Sequence, residues 1–338
     1  MKKIVLGLSG GVDSAVAARL LQNEGWEVHG LYLDIGTAEA RADAVKTAEF
    51  LGVSLKIQDI SAALEEHVCR PFAQSYLRGE TPNPCVLCNP TVKFRALCDY
   101  ADSLGAEKIA TGHYARVIDG QLCRADSGND QSYMLNRLQR DQVSRRILPL
   151  GAFEKSRVRI MAEDFGIPVA HKPDSMEICF IPDKDYIGWL SRRARWSAPN
   201  GGSMLWNGEE VCRHEGIHRW TVGQRIPGVY GEGRNVKLYV KSIDPDTNEI
   251  TVGENRDLLQ SEFTVRCFNW HIDAPTAPLR RSVKERHTKS DEPECTASYD
   301  AARGEVHFSL DSPVRAPARG QSAVLYDGER VLGGGFII

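Results

Sequence analysis

The stretch Gly7-Leu8-Ser9-Gly10-Gly11-Val12-Asp13-Ser14 constrains this chain more than any other. It follows the apolar run Ile4-Val5-Leu6, which reads as a buried strand. It precedes Ala15-Val16-Ala17-Ala18-Arg19-Leu20-Leu21, whose spacing suits a helix packed on a sheet. A strand, a tight glycine turn and a helix N-terminus together make an anion site. Backbone N–H groups with no intrahelical partner face the ligand there, and the helix dipole favours negative charge.

The loop carries no lysine. A Walker A loop would read G-x-x-x-x-G-K-[ST], with the lysine reaching the terminal phosphates. Here Ser9, Gly10, Gly11 and Ser14 crowd the phosphate side, and Asp13 offers a carboxylate for Mg²⁺. Such a lysine-free loop resembles the PP-loop of the ATP pyrophosphatases, which cleave ATP between the α and β phosphates. Read more plainly, it is a Gly/Ser turn with a helix cap at Asp13 or Ser14. The strand–turn–helix setting favours the phosphate reading.

The first half alternates strand and helix. Glu27 to Asp34 and Val53 to Gln58 read as strands, as does Glu107 to Thr111. Ala38 to Leu51, Ala62 to Leu77 and Thr91 to Leu104 read as helices, with Gly52 and Gly105 as stops. That alternation predicts an α/β doubly wound parallel sheet, with the phosphate loop at the carboxyl end of its first strand. Helical segments are expected from about Gln131 through Phe165. After the Pro/Gly-rich stretch at Ser197–Gly202 the texture turns to short β-rich runs, among them Lys237 to Ile243, Glu305 to Leu310 and Ala323 to Tyr326. A length of 338 residues exceeds one typical core. The expected division is a catalytic domain over 1–196, a small β-rich domain over 197–260 and a C-terminal β-barrel over 261–338.

No apolar stretch approaches bilayer length, and Met1-Lys2-Lys3 runs directly into the first strand, so neither a membrane span nor a signal peptide is expected. Nine dispersed cysteines, an odd number, do not suit a secreted disulfide framework and suggest a reducing, cytoplasmic setting. A net charge of −3 makes no global case for nucleic acid. Two basic groups stand out locally: Arg137, Arg140, Arg145 and Arg146 followed by Lys155, Arg157 and Arg159, and Arg280, Arg281, Lys284, Arg286 and Lys289. Each, taken alone, reads better as a solvated face than as an RNA contact.

Thr81-Pro82-Asn83-Pro84-Cys85-Val86-Leu87-Cys88-Asn89 reads as a loop stiffened by two prolines. It places Cys88 near the N-terminus of the helix expected at Thr91, where the dipole favours a thiolate. A zinc site is not expected, since no second C-x-x-C or H-x₃-H stands at a matching spacing. A third cysteine of note, Cys179, lies in Ile178-Cys179-Phe180-Ile181.

In order, these motifs resemble the tRNA-specific 2-thiouridylases over nearly the whole chain. The matching stretches are GLSGGVDS at Gly7–Ser14, TPNPCVLCN at Thr81–Asn89, TGHYAR at Thr111–Arg116 and DQSYML at Asp130–Leu135. They continue with PLG at Pro149–Gly151, ICFI at Ile178–Ile181, GIHRWTVGQR at Gly216–Arg225 and RGQSAVLYDGERVLGGG at Arg319–Gly335.

The resemblance implies exchange of the 2-oxygen of a wobble uridine in the tRNA anticodon for sulfur, at the expense of ATP with Mg²⁺. It implies ATP contacts at Gly7–Ser14 (Gly7, Leu8, Ser9, Gly10, Gly11, Val12, Asp13, Ser14), Leu33 and Gly112. Asn83, Pro84 and Cys85 would face the target base, and His113, Asn129, Asp130, Gln131, Arg286, His287 and Gln321 would touch tRNA. Cys179 would carry a persulfide received from a sulfur-relay protein or cysteine desulfurase, with Cys88 as the partner thiol that ends in a disulfide with it.

Three departures from the family pattern bear on this. Many relatives have Asp at the position of Cys85, so Cys85, Cys88 and Cys179 are equally open to holding an Fe–S cluster as sulfur carrier. The stretch after Leu33 is short and lacks the usual methionine, which loosens the adenine assignment. Asn129 stands where relatives usually show Lys. Two rival readings are a PP-loop enzyme acting on a small substrate, which would not need the β-rich tail, and an RNA-binding protein on a decayed loop, which the intact Ser9, Asp13 and Ser14 disfavour.

Overall fold

Ile4, Val5 and Leu6 are completely buried in β1 (Lys3–Gly7), as a continuous apolar run requires when a strand is covered on both faces. The computed structural model describes residues 2–174, 177–193, 197–230, 236–287 and 292–338. After β1 come α1 (Val12–Asn23), β2 (Glu27–Asp34), α2 (Ala38–Leu51) and β3 (Ser54–Asp59). The third strand starts one residue later than the sequence pattern suggests. Gly52 takes the left-handed conformation and the Val53 N–H bonds back to Ala48 O at 2.9 Å, so Val53 completes the helix cap.

Two helical runs follow, each with a π turn. The first joins α3 (Ser61–Leu64) to α4 (Arg70–Leu77) through Glu65–Cys69, and the second joins α5 (Pro84–Cys88) to α6 (Phe94–Leu104) through Asn89–Lys93. Pro71 follows the first π turn and Pro90 lies in the second. A helix-interior proline lacks its N–H and crowds the carbonyl four residues back, and the wider turn relieves that clash.

The strand β4 (Lys108–Ala110) is followed by a hairpin of β5 (Arg116–Ile118) and β6 (Gln121–Cys123). Asp119 and Gly120 both have positive φ, the two-residue turn that matches strand twist. The helical segments expected from about 131 to 165 include α7 (Arg140–Ser144) and α8 (Lys155–Asp164), with the short strand β7 (Arg146–Ile147), not expected, between them. Pro149 and Gly151 punctuate the run, and β7 docks parallel on β4. The first sheet therefore runs β3-β2-β1-β4-β7, all parallel. Strand order reverses between β1 and β4, and crevices at such points are where open α/β sheets bind ligands. Helices α1 and α8 pack Val16, Leu21, Val158 and Ala162 into the core beside Ile4 and Leu6, each large side chain contributing about 1.5–3 kcal/mol by burial.

Beyond α9 (Tyr186–Ser191) lie β8 (Gly202–Trp206), β9 (Glu209–His214), β10 (Arg225–Tyr230), β11 (Lys237–Asp244) and β12 (Glu249–Gly253). They form one sheet in the order β10-β11-β12-β8-β9, over a core that includes Met204, Leu238, Val240 and Ile250. The remaining strands are β13 (Leu259–Trp270), β14 (Leu279–Lys284), β15 (Glu294–Asp300), β16 (Glu305–Arg315), β17 (Ser322–Asp327) and β18 (Arg330–Ile337). Their order is β13-β16-β15-β14-β17-β18, and β18 returns to pair with β13, closing an antiparallel barrel without free edges.

The chain packs as two units that exchange segments. One comprises residues 1–68, 85–176 and 329–332, and the other 69–84, 177–328 and 333–338. Among the described residues no helix is long and apolar enough to cross a membrane.

Candidate active site

The phosphate loop bridges β1 and α1, with Gly11 extended at the helix N-cap. Ser14 Oγ accepts from the Ser9 N–H at 3.1 Å and donates to Gly11 O at 3.0 Å, while Ser9 Oγ lies 3.2 Å away. These bonds draw the loop into a tight ring. Gly10 has φ +75°, and a Cβ there would sit 2.7 Å from Ala40 O and 2.8 Å from Ala44 N, so the loop lies directly on α2. The Gly112 backbone abuts Asp13 and Ser14 in the first turn of α1, and Leu33 lies near the carboxyl end of β2. All the expected ATP-contact positions therefore fall at the carboxyl ends of neighbouring strands.

The loop itself has no lysine, and the fold brings one from elsewhere. Lys155 Nζ, at the start of α8, donates to both oxygens of Asp13, at 2.6 and 2.8 Å, and also pairs with Asp174 at 2.8 Å. Tyr114 OH donates to Asp13 Oδ1 at 2.7 Å, and burial and the Asp13 charge push the phenol far above its usual range. Arg159, one turn beyond Lys155, holds Asp174 at 2.9 Å and the Lys172 carbonyl at 2.8 Å. Burial alone would raise the Asp174 carboxyl, but Lys155 and Arg159 outweigh it and hold it below the ordinary carboxylate range. The basic run Lys155, Arg157 and Arg159 is thus not a uniform solvated face: only Arg157 is exposed. The i,i+4 spacing of Lys155 and Arg159 signals a shared helix face, but nothing local says which way that face points.

Mg²⁺ usually takes one or two carboxylates with phosphate oxygens supplying other positions, so Asp13, which shares Lys155 with Asp174, fits that donor type once a nucleotide provides the rest. Among the described residues no three His, Cys, Asp or Glu side chains gather into a metal-binding group, so the donor set of an Fe–S cluster is not assembled among them.

The Cys-x-x-Cys segment is helical from Pro84, seven residues before the expected start. Proline costs nothing at a first helical position, where its missing N–H would have no partner. Cys85 therefore occupies the first turn, with Cys88 one turn on along the same face rather than at the N-terminus. Cys85 is exposed and Cys88 half-buried. The π turn that follows is stitched in place: Asn89 Nδ2 donates to Met134 O at 2.8 Å and Gln142 Nε2 to Pro90 O at 3.0 Å.

Cys179 is exposed, in a turn closed by the Ile181 N–H to Ile178 O at 2.8 Å. Its neighbours Ile178 and Phe180 pack against Phe72, Tyr76, Ile181, Leu190 and Trp189, with the Phe72 and Phe180 rings edge to face. The preceding Ser175 and Met176 lie outside the described residues.

His113 Nδ1 shares a hydrogen bond of 2.7 Å with Thr111 Oγ1, and its ring lies 5.9 Å from that of Phe94. Burial, then the charges of Lys93 and Arg146, hold the imidazole neutral, well below its usual range. Arg146 departs from the expected surface cluster. It is 3 % exposed and stacked 3.9 Å over the Phe94 ring, and among the described residues no guanidinium nitrogen has a hydrogen-bond partner. Its place on β7, inside the sheet, buries it.

The other expected tRNA contacts divide into two kinds. Asn129 and His287 are exposed. Asp130 instead accepts from the Ala125 and Ser132 N–H groups, and Gln131 Oε1 from the Tyr114 N–H, so both brace the backbone beside the loop. Arg286 donates to Glu285 and Arg315 O, and Gln321 to Thr81 O. In the second basic group Arg280, Arg281 and Lys284 each have an acidic partner, and Lys289 lies outside the described residues.

Family models agree with this layout. The tRNA methyl transferase HUP domain matches residues 2–183, the tRNA methyl transferase PRC-barrel domain 197–254, and the aminomethyltransferase β-barrel domain 260–337. The tRNA-specific 2-thiouridylase MnmA of Syntrophotalea carbinolica is 40% identical over 350 residues, covering 99% of this chain and 98% of that protein. Its namesakes from Solibacter usitatus and Rickettsia typhi are each 39% identical, covering 99% and 100% of this chain and 98% and 99% of their own lengths. With the phosphate loop, the Cys-x-x-Cys helix and the barrel all in place, this chain belongs to the tRNA-specific 2-thiouridylase family.

Proposed function

We propose that the protein is an ATP-dependent tRNA-uridine 2-sulfurtransferase acting in the cytoplasm. The observation that carries the reading is the lysine–carboxylate pair Lys155–Asp13 against a PP-loop, in a chain about 40% identical to 2-thiouridylases over its full length. A uridine C2 oxygen is a poor leaving group. In the first step it attacks the α-phosphorus of ATP, the bond to the β-phosphate breaks, and pyrophosphate leaves. Loop N–H groups, Ser9, Ser14 and Lys155 would bind the phosphates, with Leu33 and Gly112 beside the nucleoside, because fixed donors and a cation favour the charge that develops there. Mg²⁺ bound with ATP would rest on Asp13 and offset phosphate charge.

In the second step a sulfur nucleophile adds at C2 and expels AMP. The outer sulfur of a Cys179 persulfide, supplied by a sulfur-relay protein or cysteine desulfurase, suits this role. Attack of the Cys88 thiol on Cys179 would then release the thiouridine and leave a disulfide between the two. Asn83, Pro84 and Cys85 would face the base, while Asn129, His287, His113 and Arg286 would line the tRNA path. We assign 1–196 to catalysis, 197–260 to a β-rich tRNA-binding part and 261–338 to the barrel.

The test is nucleoside mass spectrometry on unmodified tRNA incubated with anaerobically purified protein, ATP and Mg²⁺, with sulfide in one arm and a cysteine desulfurase with cysteine, which delivers persulfide sulfur, in the other, and with iron measured on the same samples. An ATP-dependent 2-thiouridine peak is expected. Dependence of that peak on iron would select a cluster over the persulfide, and absence of both the peak and tRNA-dependent pyrophosphate would refute the reaction.

A further inference from the structure

The turn Arg319–Gln321, between β16 and β17, grips the segment leading into the Cys-x-x-Cys helix. The Thr81 N–H donates to Arg319 O at 2.7 Å, and Gln321 Nε2 donates to Thr81 O at 2.7 Å. Both backbone groups of Thr81 are therefore held by one turn. Gly320, between these two partners, has φ +87°, and a Cβ there would lie 2.9 Å from Glu80 Cβ, so the two backbones are in contact. Glu80 is 5 % exposed and anchored by Arg78 at 2.7 Å and by Arg266 of β13 at 3.0 Å. The turn is fixed in its own right: the Gly320 N–H bonds to Ile337 O and the Ile337 N–H to Gln321 O, both at 2.9 Å.

What lies just downstream gives this clasp its consequence. Thr81 is followed by Pro82, Asn83, Pro84 and Cys85. Proline locks φ at two of these positions, so few torsions separate a fixed Thr81 carbonyl from Asn83. A chain this stiff passes a displacement at Thr81 on to the residues after it.

We infer that Gln321 is a positioning residue for the segment Asn83–Cys85, acting through the Thr81 carbonyl. This rests on the reading of Asn83–Cys85 as the part that faces the target base. The side-chain amide is suited to the task, since it offers a neutral donor to a carbonyl without placing a charge beside the buried Glu80. In this role Gln321 affects the chemistry of bound tRNA and leaves the strength of tRNA binding alone.

Two variants of the full-length protein test this. Gln321→Met keeps length and removes the donor, and Gln321→Glu keeps shape and turns an acceptor toward Thr81 O. Each is assayed for tRNA-dependent pyrophosphate release, for tRNA affinity by filter binding, and for thermal unfolding. The expected result is a kcat about ten- to a hundred-fold lower, as a misplacement of an ångström or less produces. The tRNA Kd and the KM for ATP should stay within about two-fold, because only a transition-state interaction is lost. Weaker tRNA binding with kcat retained would overturn the inference in favour of direct tRNA contact, and unchanged kinetics would overturn it outright. Unfolding of both variants would make the bond a prop of the fold, which also overturns it. Wild-type protein that releases no pyrophosphate with tRNA would remove the underlying reaction itself.

Discussion

Replacing Arg146 by methionine should stabilise the protein, against the usual outcome of changing a buried side chain. Arg146 is 3 % exposed, and none of its guanidinium nitrogens has a hydrogen-bond partner among the described residues. Burial lowers its pKa well below the ordinary guanidinium range, to about 9. That fall corresponds to roughly 5 kcal/mol of cost to the charged form. Stacking over Phe94 at 3.9 Å returns about 2 kcal/mol in a desolvated setting. Methionine keeps an unbranched apolar stem and loses the charge, so the net gain should be about 1–3 kcal/mol, in line with other replacements of buried charge by apolar groups. At about 2–4 °C per kcal/mol for a unit of this size, the first thermal transition should rise by several degrees.

The pH dependence has a definite sign. Below pH 9 both the folded and unfolded states hold the proton, so the penalty is complete. Above about pH 9 and up to the ordinary guanidinium range the unfolded state binds more protons than the folded state, so wild-type stability recovers as pH rises and the advantage of Arg146→Met shrinks. Calorimetry of both full-length proteins at pH 7 and pH 10 reads this directly. A variant less stable than wild type at pH 7 would refute the reasoning and reveal a buried partner for the guanidinium.

Other substitutions probe the site. Lys155→Ala should cut tRNA-dependent pyrophosphate release about a hundred-fold, the scale for losing one preorganised donor to a developing anion; release at the wild-type rate would remove Lys155 from phosphate binding. Gly10→Ala forces a side chain into a left-handed position against α2. It should cost about 2 kcal/mol or more and weaken ATP binding, as read by denaturant melts and nucleotide titration. Cys179→Ser should still form pyrophosphate while yielding no 2-thiouridine, and full thiolation by that variant would exclude Cys179 from sulfur transfer.

Much of this was readable because its causes are local. A glycine loop between an apolar strand and a small-residue helix specifies its own geometry, and the cap at Gly52 moves the next strand by only one residue. Asp119-Gly120 is likewise a local hairpin signal, two positive-φ positions between short strands. The errors share a different origin. Pro84 reads as a loop marker, although it starts a helix, and the π turn that absorbs Pro90 has no local sequence signal. Lys155 meets Asp13 across 142 positions, and Arg146 is buried by the sheet it joins, so charge patterning along the chain reveals neither. Gln321 was legible as part of a motif, while its bond to Thr81 depends on packing between segments 240 residues apart.

The exchange of segments between the two units also bears on how the protein is made. The nucleotide-binding unit draws its other segments from residues up to 176, yet 329–332 belong to it as well. There Glu329 O receives the Arg124 N–H at 2.8 Å and Arg330 pairs with Cys123 on β6. At synthesis rates of about 5–20 residues per second, a nascent chain waits roughly 8–30 s between finishing residue 176 and supplying this last strand. Through that interval the outer edge of β6 lacks its neighbour, a surface open to wrong pairings. Release of a finished ATP-binding unit is thereby tied to translation of the whole chain, and ribosome stalling anywhere in the barrel would leave an incomplete unit that proteases and chaperones can tell from the finished one.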